Sequence, residues 1–154
     1  MVKSRVFIGI IILLLLFSCD KNKIFHEVYA FDNYQWEKSK ILTFEPEITS
    51  TNLSYKFIFN IRYFTGFPYK YLHLNLNITN TDGQTFTKEI SIQIISEDLK
   101  YLGEGMGDYW DIDYVFIDKQ IINKTGKYKI EIQHNIDNEV VTRIGEFGIT
   151  ISKL

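Results

Sequence analysis

Apolar and polar side chains alternate strictly along much of this chain, the pattern of strands that bury one face and wet the other. From 53 to 63 the odd positions are Leu53, Tyr55, Phe57, Phe59, Ile61 and Tyr63, while Ser54, Lys56, Asn60 and Arg62 point the other way. The phase moves to even positions at Leu72, Leu74, Leu76 and Ile78, with His73, Asn75 and Asn77 opposite. Asn80-Thr81-Asp82-Gly83 then supplies turn chemistry, and the chain returns through Phe86, Ile90, Ile92 and Ile94, which predicts a hairpin. Further on, Tyr128, Ile130, Ile132, His134 and Ile136 alternate with Lys127, Lys129, Glu131, Gln133 and Asn135, and Asp137-Asn138 forms the next turn. A last strand starts in one phase at Val140, Thr142 and Ile144 and ends in the other at Phe147, Ile149 and Ile151. A bulge at Gly145 would keep both halves facing the core. Shorter strands are expected around 28–31, 41–48 and 112–117.

No stretch beyond the leader shows a 3.6-residue period, and Ala30 is the only alanine, so helix is scarce. About seven to nine antiparallel strands with frequent turns predict an all-β fold, a single antiparallel β-sandwich of Ig-like or jelly-roll-like type. A small β-barrel is the alternative, which periodicity does not separate. The 154 residues and 18.2 kDa suit one domain. The large aromatic fraction, 16%, implies a bulky core and excludes a disordered chain.

The N-terminus has a different pattern. Lys3 and Arg5 precede an unbroken apolar run from Val6 to Phe17, and Leu16-Phe17-Ser18-Cys19 follows as a lipobox, with a small residue just before the cysteine. Residues 1–18 therefore read as a lipoprotein signal peptide, with Cys19 as the acylated residue. A membrane-spanning anchor is disfavoured, since twelve residues of helix cover about 18 Å against roughly 30 Å of hydrocarbon. A secreted protein with one free thiol is the other alternative. Cys19 is the only cysteine, so acylation leaves no disulfide, thiolate ligand or thiol nucleophile in the domain. Residues 19–27 form the lipidated cysteine and a tether, residues 20–27 reaching about 25 Å if extended, and 28–154 the sandwich. Beyond residue 18 the chain has 15 basic groups against 19 acidic ones, a net −4, which argues against nucleic acid as a partner.

Candidate chemistry is sparse. His26, His73 and His134 show no metal-ligand spacing, and His134 lies on the apolar parity of its strand. Leu102-Gly103-Glu104-Gly105-Met106-Gly107-Asp108-Tyr109-Trp110-Asp111-Ile112-Asp113 is the most unusual segment. Its acids suit a calcium site or a glycosidase pair beside sugar-stacking aromatics, or else the solvated turns of a demanding loop. A partner-binding loop that bends away from the sheet is favoured over catalysis, with Glu104, Asp108, Tyr109 and Trp110 as contacts. The run Arg62 to Tyr71 reads first as a hydrophobic corner and second as a docking patch through Arg62 and Tyr69. No catalytic residue, metal site or cofactor is expected.

The order of features then resembles a known family: the lipobox; Tyr29-Ala30-Phe31 and Gln35-Trp36 ahead of Leu42-Thr43-Phe44; Tyr55 through Ile61-Arg62-Tyr63; Phe67-Pro68-Tyr69; Leu102 to Asp108; Gly126-Lys127-Tyr128 leading into Gln133; and Ile144-Gly145 before Gly148. The chain is similar to the GldH family of gliding-motility lipoproteins over nearly its whole length. It departs after Gln133, where the family places a Met-Arg pair and this chain has His134-Asn135-Ile136. The resemblance implies an outer-membrane, periplasm-facing lipoprotein supporting gliding motility and the associated type IX secretion machinery, without enzymatic activity. It implies other gliding and secretion envelope proteins as partners, besides the membrane itself. A glycan- or peptidoglycan-binding lipoprotein is the runner-up, and an enzyme of the acidic segment comes third.

Overall fold

The computed structural model describes residues 22–154; the signal peptide and Cys19 lie outside the described residues. The strands are β1 (Lys23–Ala30), β2 (Gln35–Glu37), β3 (Leu42–Phe44), β4 (Glu47–Ile48), β5 (Leu53–Phe64), β6 (Tyr71–Thr79), β7 (Thr85–Gln93), β8 (Glu104–Met106), β9 (Tyr109–Ile122), β10 (Gly126–Lys127), β11 (Lys129–His134), β12 (Val140–Thr142) and β13 (Ile144–Lys153). Apart from these, one turn of 3-10 helix spans Asp32–Tyr34. Among the described residues no helix is long and apolar enough to cross a membrane.

One sheet runs β1-β13-β5-β9-β8 and the other β3-β11-β6-β7, with the small pairs β10-β4 and β12-β2 at the corners. All these pairings are antiparallel. The long strands pair from the outside of the chain inwards: β1 with β13, β3 with β11, β5 with β9, β6 with β7. A single long hairpin rolled on itself gives this order, and β13 against β5 and β11 against β6 close the roll into two sheets, the jelly-roll sandwich. The two sheets remain separate, so the barrel alternative is not what forms.

Alternation does what it predicts along β5 from Tyr55 onward: Leu53 at the strand's first position is 39% exposed, while Tyr55, Phe57, Phe59, Ile61 and Tyr63 are all buried. They face Leu72, Leu74 and Leu76 of β6 and Ile130 and Ile132 of β11, also buried. Aromatic rings form much of the contact: Phe59 stacks on Phe116 at 3.8 Å and meets Phe147 at 5.1 Å, and Trp36 packs on Phe31 at 5.1 Å and on Phe147 at 5.3 Å. The polar tips of the buried Tyr55, Tyr63 and Trp36 are satisfied. The Tyr55 hydroxyl donates to the Ser50 carbonyl at 2.7 Å, Tyr63 to Leu102 at 2.5 Å, and the Trp36 indole to Lys40 at 2.9 Å.

Four expectations are corrected. The first strand opens at Lys23, so residues 23–27 belong to the sheet and not to the tether. Phe86 is 58% exposed, because β7 is an edge strand and Phe86 lines an open groove with Phe116, Ile117 and Ile121 of β9 instead of a closed core. The predicted last strand breaks at Arg143, which adopts a left-handed φ of 61° and sends β12 to β2 while β13 joins β1 and β5. The pairing of β13 with β5 shifts between Ile144 and Glu146, which is the bulge expected at Gly145.

The fourth correction concerns 102–110. This segment does not leave the sheet: β8 pairs with the start of β9, Glu104 opposite Asp111 and Met106 opposite Tyr109. The bare glycine face is filled by neighbours. A Cβ on Gly105 would sit 2.7 Å from the Trp110 ring, and one on Gly103 2.2 Å from the Asp111 carbonyl oxygen. Gly107, at φ 65°, makes the tight turn between the strands.

Candidate functional site

The outer face of the large sheet carries a cross-strand polar platform. Arg62 of β5 stands directly opposite Asp111 of β9 on one side and Glu146 of β13 on the other. Its guanidinium donates to both Asp111 oxygens, from Nε at 2.9 Å and Nη2 at 3.0 Å, and from Nη1 to Glu146 Oε1 at 3.1 Å. The Tyr109 ring lies against the same guanidinium, 4.7 Å from its central carbon. The hydrogen bonds from Arg62 to Asp111, and then the two negative charges, raise the arginine above its ordinary pKa. Arg62 therefore stays charged. It remains half-buried, leaving part of the cluster open to a partner.

One step along the strands a second polar line crosses four strands. Asn60 Nδ2 donates to Asp113 Oδ1 at 2.7 Å, which turns the Asn60 carbonyl oxygen toward Thr150, whose hydroxyl donates to it at 2.6 Å. With its only proton used, Thr150 Oγ1 accepts from His26 Nδ1 at 2.9 Å. The chain of donors places a proton on His26 Nδ1. Between the two lines lies an open depression of about 350 Å³ lined by His26, Asn60, Arg62, Asp111, Asp113 and Glu146, among others.

The structure brings only part of the predicted set together. Arg62 and Tyr109 meet on the platform. Glu104 is exposed on the edge strand β8, and Asp108 is exposed in the turn, where its carbonyl accepts from Thr65 N–H at 2.8 Å. Trp110 is no exposed anchor. Its ring covers Gly105, packs 5.5 Å from Tyr101 and donates to Thr65 Oγ1 at 3.3 Å. Tyr69 packs edge-on to buried Phe67 at 5.8 Å, ahead of the other sheet, in keeping with a hydrophobic corner.

Among the described residues no group of three or more His, Cys, Asp or Glu side chains is arranged to hold a metal ion. Asp111 and Asp113 instead hold Arg62 and Asn60. His134 is 1% exposed with both ring nitrogens unpartnered, edge-on to Trp36 at 5.5 Å. Burial and then Lys38 push its pKa below the usual imidazole value, outweighing the Trp36 backbone, whose approach is too poor in geometry to count as a hydrogen bond. Glu146, Asn60, Thr150 and His26 were not among the predicted contacts. Their signal was the polar half of each alternating strand, but only long-range register shows which of them meet.

Two structural neighbours are distant. The VP2 subviral particle of infectious bursal disease virus matches with a TM-score of 0.43 and 18% identity, over 86% of this chain and 33% of that one. TmCBM61 in complex with β-1,4-galactotriose matches with a TM-score of 0.35 and 14% identity, over 84% of this chain and 87% of that one. Sequence relatives are nearer. The gliding motility lipoprotein GldH of Flavobacterium johnsoniae is 28% identical over 130 residues, covering 83% of this chain and 80% of that protein. A GldH homolog of Christiangramia forsetii is 27% identical over 128 residues, covering 83% and 78%. The family model for the GldH lipoprotein matches residues 23–151, the whole sandwich from the first residue of β1 into β13. The chain belongs to the GldH family of gliding-motility lipoproteins.

Proposed function

We propose that acyl chains on Cys19 hold this gliding-motility lipoprotein on the outer membrane with its domain in the periplasm, and that it supports gliding and the associated type IX secretion machinery by contacting other envelope proteins. The reading assigns it no catalysis, no cofactor and no nucleic acid. The Arg62 platform carries it. A half-buried arginine pinned by two carboxylates and a tyrosine ring is a preorganised contact of the kind that dominates interfaces, since its rotamer entropy is already spent. A deletion strain complemented with Arg62→Ala tests it, scored for spreading, secretion and abundance of the protein. Spreading and secretion should fall at unchanged abundance, and normal values of both would remove the platform from the functional surface. Cys19→Ser should abolish acyl labelling and release the domain from membranes; retention of both the label and membrane association would sink the anchor.

A glycan-binding reading is second. The depression between Arg62 and His26 favours it, because its mixed donors and acceptors suit sugar hydroxyls. Retention on peptidoglycan that Asn60→Ala abolishes would promote this reading over protein contact.

A further inference from the structure

The chain enters and leaves the sandwich at one end. Lys153 N–H bonds to the Asn22 carbonyl at 2.8 Å, Leu154 N–H to Ser54 at 2.9 Å and Asn52 N–H to Ile122 at 2.9 Å. The Asn80 to Gln84 turn lies at the same end, tied in by Lys124 Nζ on Asp82 Oδ2 at 2.6 Å. From Cys19 to Lys23 is four residues, at most about 14 Å of extended chain, whereas the ten residues of β13 run roughly 33 Å from end to end. An acylated Cys19 sits at the bilayer surface. This end of the sandwich is therefore the one held against the membrane.

Its surface suits that position. Leu53, Phe86 and Ile121 are exposed there, at 39%, 58% and 54%. Around them Lys23, Lys119 and Lys127 are exposed and, among the described residues, have no carboxylate within 4.0 Å. Lys56 and Lys124 are paired with Asp118 and Asp82, and Glu45 and Glu47 are further exposed acids at this end, Glu47 standing opposite Lys127 in the β4–β10 pair. The far end is the more acidic, with Asp32, Asp98, Glu104, Asp108, Asp137 and Glu139 exposed against Lys40, Lys100 and Arg143.

We propose that this lysine-rimmed end is a membrane-docking surface. Leu53, Phe86 and Ile121 lie at the acyl boundary, and Lys23, Lys119 and Lys127 contact anionic lipid headgroups. The domain then stands end-on and presents its acid-rich end away from the bilayer. The proposal rests on acylation of Cys19 and deepens that reading by fixing the orientation it imposes.

The lipidated full-length protein tests it, because acylation consumes the only native thiol and leaves an introduced cysteine as the sole labelling site. Ile121→Cys and Met106→Cys are each labelled with a maleimide fluorophore and reconstituted in phosphatidylglycerol and phosphatidylethanolamine vesicles containing headgroup spin-labelled lipid. Quenching at position 121 should exceed that at 106 several-fold, and Lys119→Glu with Lys127→Glu should reduce it. Equal quenching at the two positions in a protein that floats with the vesicles overturns the docking surface while sparing the anchor. Quenching at 121 that ignores the charge reversal overturns the headgroup contact. A protein that stays off the vesicles and takes the label at Cys19 overturns the anchor, and the docking surface with it.

Discussion

At Arg62 the energetics separate stability from function. The side chains of Arg62, Asp111 and Glu146 are 35%, 43% and 38% exposed, so water screens the pairs and each is worth roughly 0.2–1 kcal/mol. Arg62→Ala should therefore lower the melting temperature by only a few degrees, and a larger loss of spreading would report contact and not unfolding. His134 is the reverse case, with no exposed surface to offer and two ring nitrogens left without partners. Its folded-state pKa is depressed, so between that value and about 6.5 the unfolded chain holds a proton that the folded chain does not. Stability is full above about pH 6.5 and falls as pH drops through that window. Replacing the ring by leucine removes the unpaired nitrogens, worth about 1–3 kcal/mol. His134→Leu should raise stability in denaturant titrations at pH 7.5 and raise it further at pH 5. An unchanged dependence on pH would clear His134 of that role.

At the scale of elements, the β8–β9 hairpin is held by the absence of side chains. Gly103, at φ 102°, is pressed against the Asp111 backbone, whereas Gly107, at φ 65°, has nothing within 4 Å of where its Cβ would be. Gly103→Ala must push β8 off β9, while Gly107→Ala carries only the left-handed penalty of about 1 kcal/mol. Hydrogen exchange at the β8 amides should thus accelerate strongly in the first variant and slightly in the second; equal protection in both would mean that the close approach does not hold the strand. This is also where the sequence was hardest to read. Strands such as β5 and β6 were legible because half-burial forces alternation. β8 was not, because Gly105 lies within it and Gly103 beside it, and what fills the space they leave, the Trp110 ring and the Asp111 backbone, comes later in the chain. β2 escaped notice with three residues around Trp36, too few to show a period. Arg62 was visible as a polar position, but Asp111 and Glu146 became its partners through pairings 49 and 84 residues away, which no local pattern encodes.

For the whole molecule, the rolled hairpin places its demands on folding. Its outermost pair joins β1 to β13, the two ends of the described chain, and β13 must also seat against β5 before the large sheet exists. Closing such distant pairs costs chain entropy before any burial rewards it, so refolding should be slow, on the millisecond-to-second scale of β-sandwiches. The β6–β7 hairpin is the exception. Its turn is local, closed by Gly83 N–H on the Asn80 carbonyl at 3.0 Å and by Asn80 Oδ1 accepting from Gln84 N–H at 2.9 Å. If that hairpin starts the roll, a turn defect should slow folding, and a defect in the late-added β8 should speed unfolding. Gly83, at φ 80° with open space around it, and Gly107 are matched probes, since alanine costs about 1 kcal/mol of backbone strain at either position. In stopped-flow denaturant jumps Gly83→Ala should lower the refolding limb and leave the unfolding limb nearly in place, with Gly107→Ala doing the opposite. If both variants shift the unfolding limb alone, the roll does not begin at the β6–β7 turn.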